Sequence, residues 1–265
     1  MKLPLYQIDA FTSERFRGNP AAICPLEEWL PDSTLQAVAA ENNLSETAYY
    51  VRKGSGAEQR VELRWFTPAC EVDLCGHATL ATAYVIFEMR KESADARVIF
   101  HTRSGEVSVE REDDLLSLDF PSRPPQECDV HPLLASALGR QPEAILAARD
   151  YLCVYPSEQA VVELTPNMGE LAQVDRFAVI VTAPGSDGCD FVSRFFAPAR
   201  GVPEDPVTGS AHTTLIPYWS KRLAKSKLFA RQRSKRGGEL WCEDRGERVR
   251  ISGHATSYLE GTITV

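Results

Sequence analysis

No apolar run in this 265-residue chain approaches the roughly 18 residues a membrane-spanning helix needs, so no span is expected. Met1 to Ala10 is too polar and too short for an export signal. Positive charge is in deficit: 29 Lys and Arg against 37 Asp and Glu give a formal net charge of −8. That balance argues against nucleic acid as the main partner. Seven cysteines, at 24, 70, 75, 128, 153, 189 and 242, form an odd set without repeating spacing. No disulfide framework or common zinc pattern is legible in them, so reduced thiols and a cytoplasmic location are expected. The G-x-G-x-x-G, P-loop and cofactor-lysine motifs are missing as well, as is the second glycine of a hydrolase elbow after Ser210.

What the chain does contain is an approximate copy of itself. Arg64-Trp65-Phe66-Thr67-Pro68-Ala69 resembles Arg194-Phe195-Phe196-Ala197-Pro198-Ala199, 130 residues later. Gly76-His77-Ala78 matches Gly209-Ser210-Ala211 at a shift of 133, and Gly105-Glu106-Val107 matches Gly238-Glu239-Leu240 at the same shift. Two similar lobes are therefore expected, 1–121 and 126–265, joined by the proline-rich Pro121 to Gln126. The final strand is a candidate to cross into the N-terminal lobe. Clefts between domains are favoured ligand sites, so the active site is expected there.

Tyr6 and Ile8 alternating with polar neighbours predict a strand over Leu3 to Phe11, an apolar strand follows the Gly18-Asn19-Pro20 turn at Ala21 to Cys24, and Thr47 to Val51 and Val61 to Phe66 read as strands. A capped helix should run from Asp32-Ser33 to about Asn42. Gly76 to Arg90, free of Gly and Pro after its start, predicts a buried helix with Leu80, Ala83, Tyr84 and Phe87 on its apolar face. Strands near 97–102, 105–111 and 114–120 follow. In the second half helices are expected at His131 to Leu138, Pro166 to Gln173 and Gly209 to about Leu223. Strands are expected at Leu152 to Tyr155, Val161 to Leu164, Phe177 to Val181, Phe191 to Phe196 and through the tail. The sum is an α+β protein with two central helices.

Both central helices start at a glycine after a strand and a polar loop. Unpaired N–H groups and the helix dipole make such an end an anion site. Gly76 with His77, and Gly209 with Ser210, would supply the donors; the glycines also suit simple capping or packing. Glu46, at the entrance of an apolar strand, is a candidate acid/base with a raised pKa, or a surface carboxylate. Asp205 precedes the second helix, where an acid also serves a turn. His77, buried in the first helical turn, would tend to stay neutral. Cys75, beside a helix N-terminus, would have a lowered pKa and serve as a thiol base. Cys70, Cys75 and His77 fit no common zinc spacing, and no metal is expected. Eight basic residues lie in sixteen from Lys221 to Arg236, a solvated helix face and hairpin or a site for a phosphate-bearing partner.

Several strings together resemble the PhzF family of phenazine-biosynthesis-like proteins. They are Asp9-Ala10-Phe11-Thr12, Phe16-Arg17-Gly18-Asn19-Pro20-Ala21-Ala22, Asn43-Leu44-Ser45-Glu46-Thr47-Ala48, Leu63-Arg64-Trp65-Phe66-Thr67-Pro68, Cys75-Gly76-His77-Ala78-Thr79 and Glu204-Asp205-Pro206-Val207-Thr208-Gly209-Ser210-Ala211. The resemblance implies a diaminopimelate-epimerase-like fold of two pseudo-symmetric lobes, each a sheet wrapped around a central helix. It implies an isomerase without cofactor or metal, commonly a homodimer, acting on a small carboxylate. Glu46 then looks like the acid/base and His77 and Asp205 like its polar partners. Gly76, Gly209 and Ser210 look like an anion clamp, with Asn19 a further contact. Epimerases of that fold place a cysteine before each helix; Cys75 fills the first position and nothing between Asp205 and Ser210 fills the second. A racemase using Cys75 and a non-catalytic binding or interaction protein remain the alternatives.

Overall fold

The computed structural model describes residues 1–54, 60–93 and 95–265. The chain forms two compact units, Met1–Asp119 with Ser252–Val265, and Phe120–Ile251. The first holds β1 (Lys2–Ala10), β2 (Asn19–Leu26), α1 (Asp32–Asn42), β3 (Glu46–Lys53), β4 (Arg60–Phe66), the two-residue β5 (Glu71–Val72), α2 (Gly76–Tyr84), β6 (Arg97–Thr102), β7 (Gly105–Glu112) and β8 (Leu115–Pro121). The second holds α3 (Leu134–Leu138), β9 (Ala144–Ala147), β10 (Tyr151–Val154), α4 (Glu158–Val162), α5 (Met168–Leu171), β11 (Val179–Pro184), β12 (Phe191–Phe196), α6 (Gly209–Leu223), β13 (Lys227–Gln232), β14 (Gly238–Asp244) and β15 (Arg248–Gly253). The last strand, β16 (Ala255–Thr264), pairs antiparallel with β1.

The internal repeat is visible in the hydrogen bonding. The first unit orders its strands β16-β1-β2-β3-β4-β6-β7-β8, the second β9-β10-β11-β12-β13-β14-β15. From β1 and from β9 the pairings run in the same alternation: antiparallel, parallel, antiparallel, parallel, antiparallel. The matching strings mark equivalent places. Arg64 and Arg194 lie on β4 and β12, Gly76 and Gly209 open α2 and α6, and Gly105 and Gly238 open β7 and β14.

Each unit covers its helix with its sheet. Every residue from His77 to Ala83 is buried, the pattern of a helix enclosed on all sides. α2 packs against β1, β2, β3, β7 and β16. β3 is likewise buried continuously from Thr47 to Val51, as a strand covered on both faces must be. After Tyr84 the helix widens into a π turn over Val85–Met89, where Arg90 N–H donates to the Val85 carbonyl at 2.9 Å. α6 contains Pro217, which has no N–H for the carbonyl of Thr213. That carbonyl accepts instead from the Arg123 backbone at 2.9 Å, so the proline leaves no orphan there. Trp219 on the same helix is fully buried, stacked on Phe191 (5.7 Å, 4°) and donating to Thr182 Oγ1 at 2.9 Å.

Three expectations change; one is the helix expected over Pro166 to Gln173, which is confined to Met168–Leu171. Val161 to Leu164, β-branched and apolar, is not a strand: Glu158–Val162 is helical. Ser157 caps it, its Oγ accepting from Ala160 N–H at 3.3 Å, and the cap outweighs strand propensity. The helix expected from His131 is confined to Leu134–Leu138. Among the described residues, no helix is long and apolar enough to cross a membrane.

Candidate active site

The first unit gathers Asn19, Glu46, Cys75, Gly76 and His77. β2 and β3 run parallel with Ala21 opposite Glu46, so both strands present their starts at the same end. Gly18 fixes that start. It takes φ +64°, and a Cβ there would collide with the Ala10 carbonyl, so only glycine delivers Asn19 to this position. The α2 N-terminus meets this end, its cap residue Cys75 making no side-chain cap hydrogen bond.

His77 is the hub. Its Nε2 lies 3.1 Å from Glu46 Oε2, an ion-pair distance. Its Nδ1 is 3.5 Å from Cys75 Sγ and 3.3 Å from Asn19 Nδ2. The His77 side chain is 6% exposed and that of Glu46 17%. Glu46 Oε2 itself is enclosed, so the remaining exposure lies elsewhere on the carboxylate side chain.

Burial opposes a charge on His77, yet the acidic groups of Cys75 and Glu46 lift its pKa well above the ordinary 6.5. Cys75 is itself pushed up to about 11, by burial first and by Glu46 second. The thiol is therefore protonated at neutral pH, which leaves Glu46 as the charged neighbour that works against burial to raise the His77 pKa. This corrects two expectations. The His77 pKa moves up and not down as burial alone would have it, because a carboxylate faces the ring. Cys75 is not an activated thiolate, because burial and the same carboxylate outweigh the helix end.

Glu46, Cys75 and His77 bring their potential ligand atoms within 4.8 Å of one another. The two acids, however, address opposite nitrogens of the imidazole ring. A metal takes one of those nitrogens, so the donors do not converge as a chelate, and Glu46 Oε2 and His77 Nε2, though 3.1 Å apart, are not aligned as a hydrogen bond. Cys70, considered with Cys75 and His77 for a metal, is exposed and outside this cluster.

The second unit gathers Asp205, Gly209 and Ser210 at the start of α6. Thr208, the residue before that helix, donates its hydroxyl to Asp205 Oδ2 and makes no side-chain cap hydrogen bond to α6. Gln232, 1% exposed on β13, holds the loop. Its Nε2 donates to the Asp205 carbonyl (2.8 Å) and Thr208 Oγ1 (3.1 Å), and its Oε1 accepts from Thr208 N–H (2.8 Å). Sequence reasoning missed Gln232, because nothing local in Arg231-Gln232-Arg233 shows that a strand edge will meet this loop. It also missed His212, buried and pushed down to about 4 by desolvation, its Nδ1 2.8 Å from the Thr208 carbonyl.

The repeated arginines are structural. Arg64 forks Glu71 at 2.7 and 2.8 Å and Arg194 forks Glu204 at 2.7 and 3.1 Å, each tying down the loop that leads to its unit's glycine-started helix. The run from Lys221 to Arg236 meets acids from elsewhere in the unit: Lys225 pairs with Asp190, Arg231 with Glu239 and Arg233 with Glu158.

Two halves of matching topology, each a sheet around a buried glycine-started helix, define the diaminopimelate-epimerase-like class of α+β proteins. A hydroxyproline epimerase from Agrobacterium vitis shares that fold, with a TM-score of 0.62 at 12% identity over 99% of this chain and 92% of the other. The crystal structure of a PhzF-family phenazine biosynthesis protein from Enterococcus faecalis matches over the whole of both chains, with a TM-score of 0.95 and 45% identity. A Pseudomonas aeruginosa protein named as an uncharacterized isomerase is 51% identical over 263 residues, 99% of each chain. The sequence model of the PhzC-PhzF family, described as phenazine biosynthesis-like protein, matches residues 8–261. The chain belongs to that family.

Proposed function

We propose that this protein is a cofactor-independent isomerase that moves a proton on a small carboxylate, with Glu46 as the acid/base. The observation that carries this is the placement of Glu46 3.1 Å from the buried His77 ring, with part of the Glu46 side chain still exposed. His77 orients the carboxylate and supplies a positive charge beside the reacting region. Glu46 takes a proton from a carbon next to an unsaturated or carbonyl-activated centre and returns it at another carbon, which shifts a double bond. Gly76 opens a helix whose first N–H groups have no intrahelical partner, and Gly209 and Ser210 open another. These donors suit the substrate's acid group and the charge that develops on it. Asn19 and Asp205 serve as polar contacts.

The names of relatives as isomerases support this reading. A racemase with Cys75 as one of two opposed thiols is less well supported. Cys75 stays protonated near neutral pH, and Thr208 occupies the matching place before α6. The test is deuterium incorporation from heavy water into metabolites of a cell extract, comparing wild type with Glu46→Gln. General acid/base catalysis contributes about 10²–10⁴-fold, so the variant should lose labelling by that factor while keeping its fold. Equal labelling by the two proteins removes Glu46 from the chemistry.

A further inference from the structure

The hydrogen bonds of the His77 ring lie on one of its nitrogens. Nε2 faces the Glu46 carboxylate at 3.1 Å without the alignment of a hydrogen bond. Nδ1 meets two groups instead, Asn19 Nδ2 at 3.3 Å and Cys75 Sγ at 3.5 Å. Both groups are built firmly into the first unit. Asn19 is fully buried at the start of β2, opposite Ala10, with Gly18 fixing the turn before it. Cys75 is buried at the head of α2, and its carbonyl accepts from Thr79 Oγ1 at 2.6 Å and from Thr79 N–H at 3.2 Å.

A neutral imidazole carries one proton, and the nitrogen without it is an acceptor. The Asn19 amide nitrogen only donates. The Cys75 thiol keeps its proton at neutral pH and donates as well. Two donors therefore converge on Nδ1, while a carboxylate stands beside Nε2. All three neighbours favour one placement, the lone pair on Nδ1 and the proton on Nε2. Among the described residues, Glu46 from β3 and Cys75 from the α2 cap are the titratable groups within reach of the ring. A second proton then arrives at Nδ1, where the amide can turn its oxygen inward and the sulfur can accept. Amides and thiols serve both roles, whereas a carboxylate only accepts.

We infer that Asn19 and Cys75 are positioning residues for His77. They hold its Nδ1 edge, so the proton on Nε2 stays toward Glu46 and the proton that His77 exchanges is the one on Nδ1. The benefit to catalysis rests on the reading of Glu46 as the acid/base. A donor then faces the carboxylate in both charge states of the ring, and Glu46 keeps its partner while it takes up and returns a proton. The buried thiol acts through the histidine and abstracts no proton itself.

The test is long-range proton–nitrogen NMR of the ring in protein labelled at histidine, with His77 assigned by a His77→Gln control. It is run on the wild type across its native pH range and on Glu46→Gln, whose ring should be neutral at about pH 8. The neutral ring should carry its proton on Nε2 and show Nδ1 as a hydrogen-bonded acceptor. That tautomer should exceed the other by more than about tenfold, the scale of one to two net hydrogen bonds. Made in Glu46→Gln, Cys75→Ala and Asn19→Leu should each move the Nδ1 resonance toward that of an unbonded acceptor and cut the excess about fivefold. Cys75→Ser, whose hydroxyl also donates, should restore both, which a merely space-filling role would not predict. Asn19→Leu risks disturbing β2, so the decision lies with the Cys75 pair. A neutral ring protonated on Nδ1, or an Nδ1 resonance indifferent to Cys75→Ala, overturns the inference. Deuterium labelling is read separately: the stated tautomer in a wild type that labels nothing keeps the positioning role and removes the isomerase reading.

Discussion

Replacing Glu46 by Gln should lower the pKa of His77. The two groups stand 3.1 Å apart with side chains 17% and 6% exposed, so solvent screens them weakly. At an effective dielectric near 20, unit charges at that separation attract by about 5 kcal/mol. Burial opposes the charge on His77, and in the native protein the nearby acids win. Without the carboxylate charge, burial dominates and the ring should titrate below 6.5. Stripping one partner from a buried pair costs about 3–5 kcal/mol, which is the ceiling here because His77 can shed its proton instead. The sign with pH follows from linkage. A folded-state pKa above the unfolded 6.5 gives stabilisation that is full below 6.5 and lost as pH rises through the folded value. The gap in unfolding free energy between wild type and Glu46→Gln should therefore be widest below 6.5 and close on the alkaline side. The assay is ring-carbon NMR of His77 against pH, assigned among five histidines by a His77→Gln control, with urea unfolding in parallel. An unchanged His77 titration in the variant would refute the electrostatic coupling on which the site assignment depends.

Cys70 is exposed, whereas Cys75 is buried with its pKa near 11. Iodoacetamide at neutral pH should therefore modify Cys70 well before Cys75, by mass spectrometry of timed digests; preferential labelling of Cys75 would restore the thiol-base reading. Trp219→Ala should cost about 3–5 kcal/mol in chemical unfolding, since a fully buried ring, its stack on Phe191 and its bond to Thr182 are lost together. A loss under about 1 kcal/mol would mean that the second unit repacks freely around α6.

Periodicity and end signals located most elements. Asp32 to Asn42, Phe191 to Phe196 and Gly209 to Leu223 have in the structure the bounds expected of them, although Asp32 lies in the first turn and Pro31, with no side-chain bond, stands at the cap. These stretches carry their own instructions: an apolar face at helical spacing, a run of aromatic and β-branched residues, and a glycine start. Val161 to Leu164 was misleading because its propensity is for strand while the preceding Ser157 supplies a helix cap. Pro217 would ordinarily argue against a helix through that point. What rescues it is a backbone donor from Arg123, more than ninety residues away in sequence.

The sequence by itself determined the two-fold plan, because copied strings with a nearly constant shift demand equivalent elements, and the α+β class, because two periodicities alternate along the chain. It also marked Glu46, Cys75, Gly76 and His77 as residue types able to hold protons or anions. Only the tertiary structure decided their electrostatics. Whether a thiol is acidic or an imidazole charged depends on burial and on which charge lies within a few ångströms, and Glu46 lies about thirty residues from both partners in sequence. The same holds for Gln232, which meets Asp205 and Thr208 from β13. Its role comes from strand order and loop closure, which place distant residues together and leave no local trace.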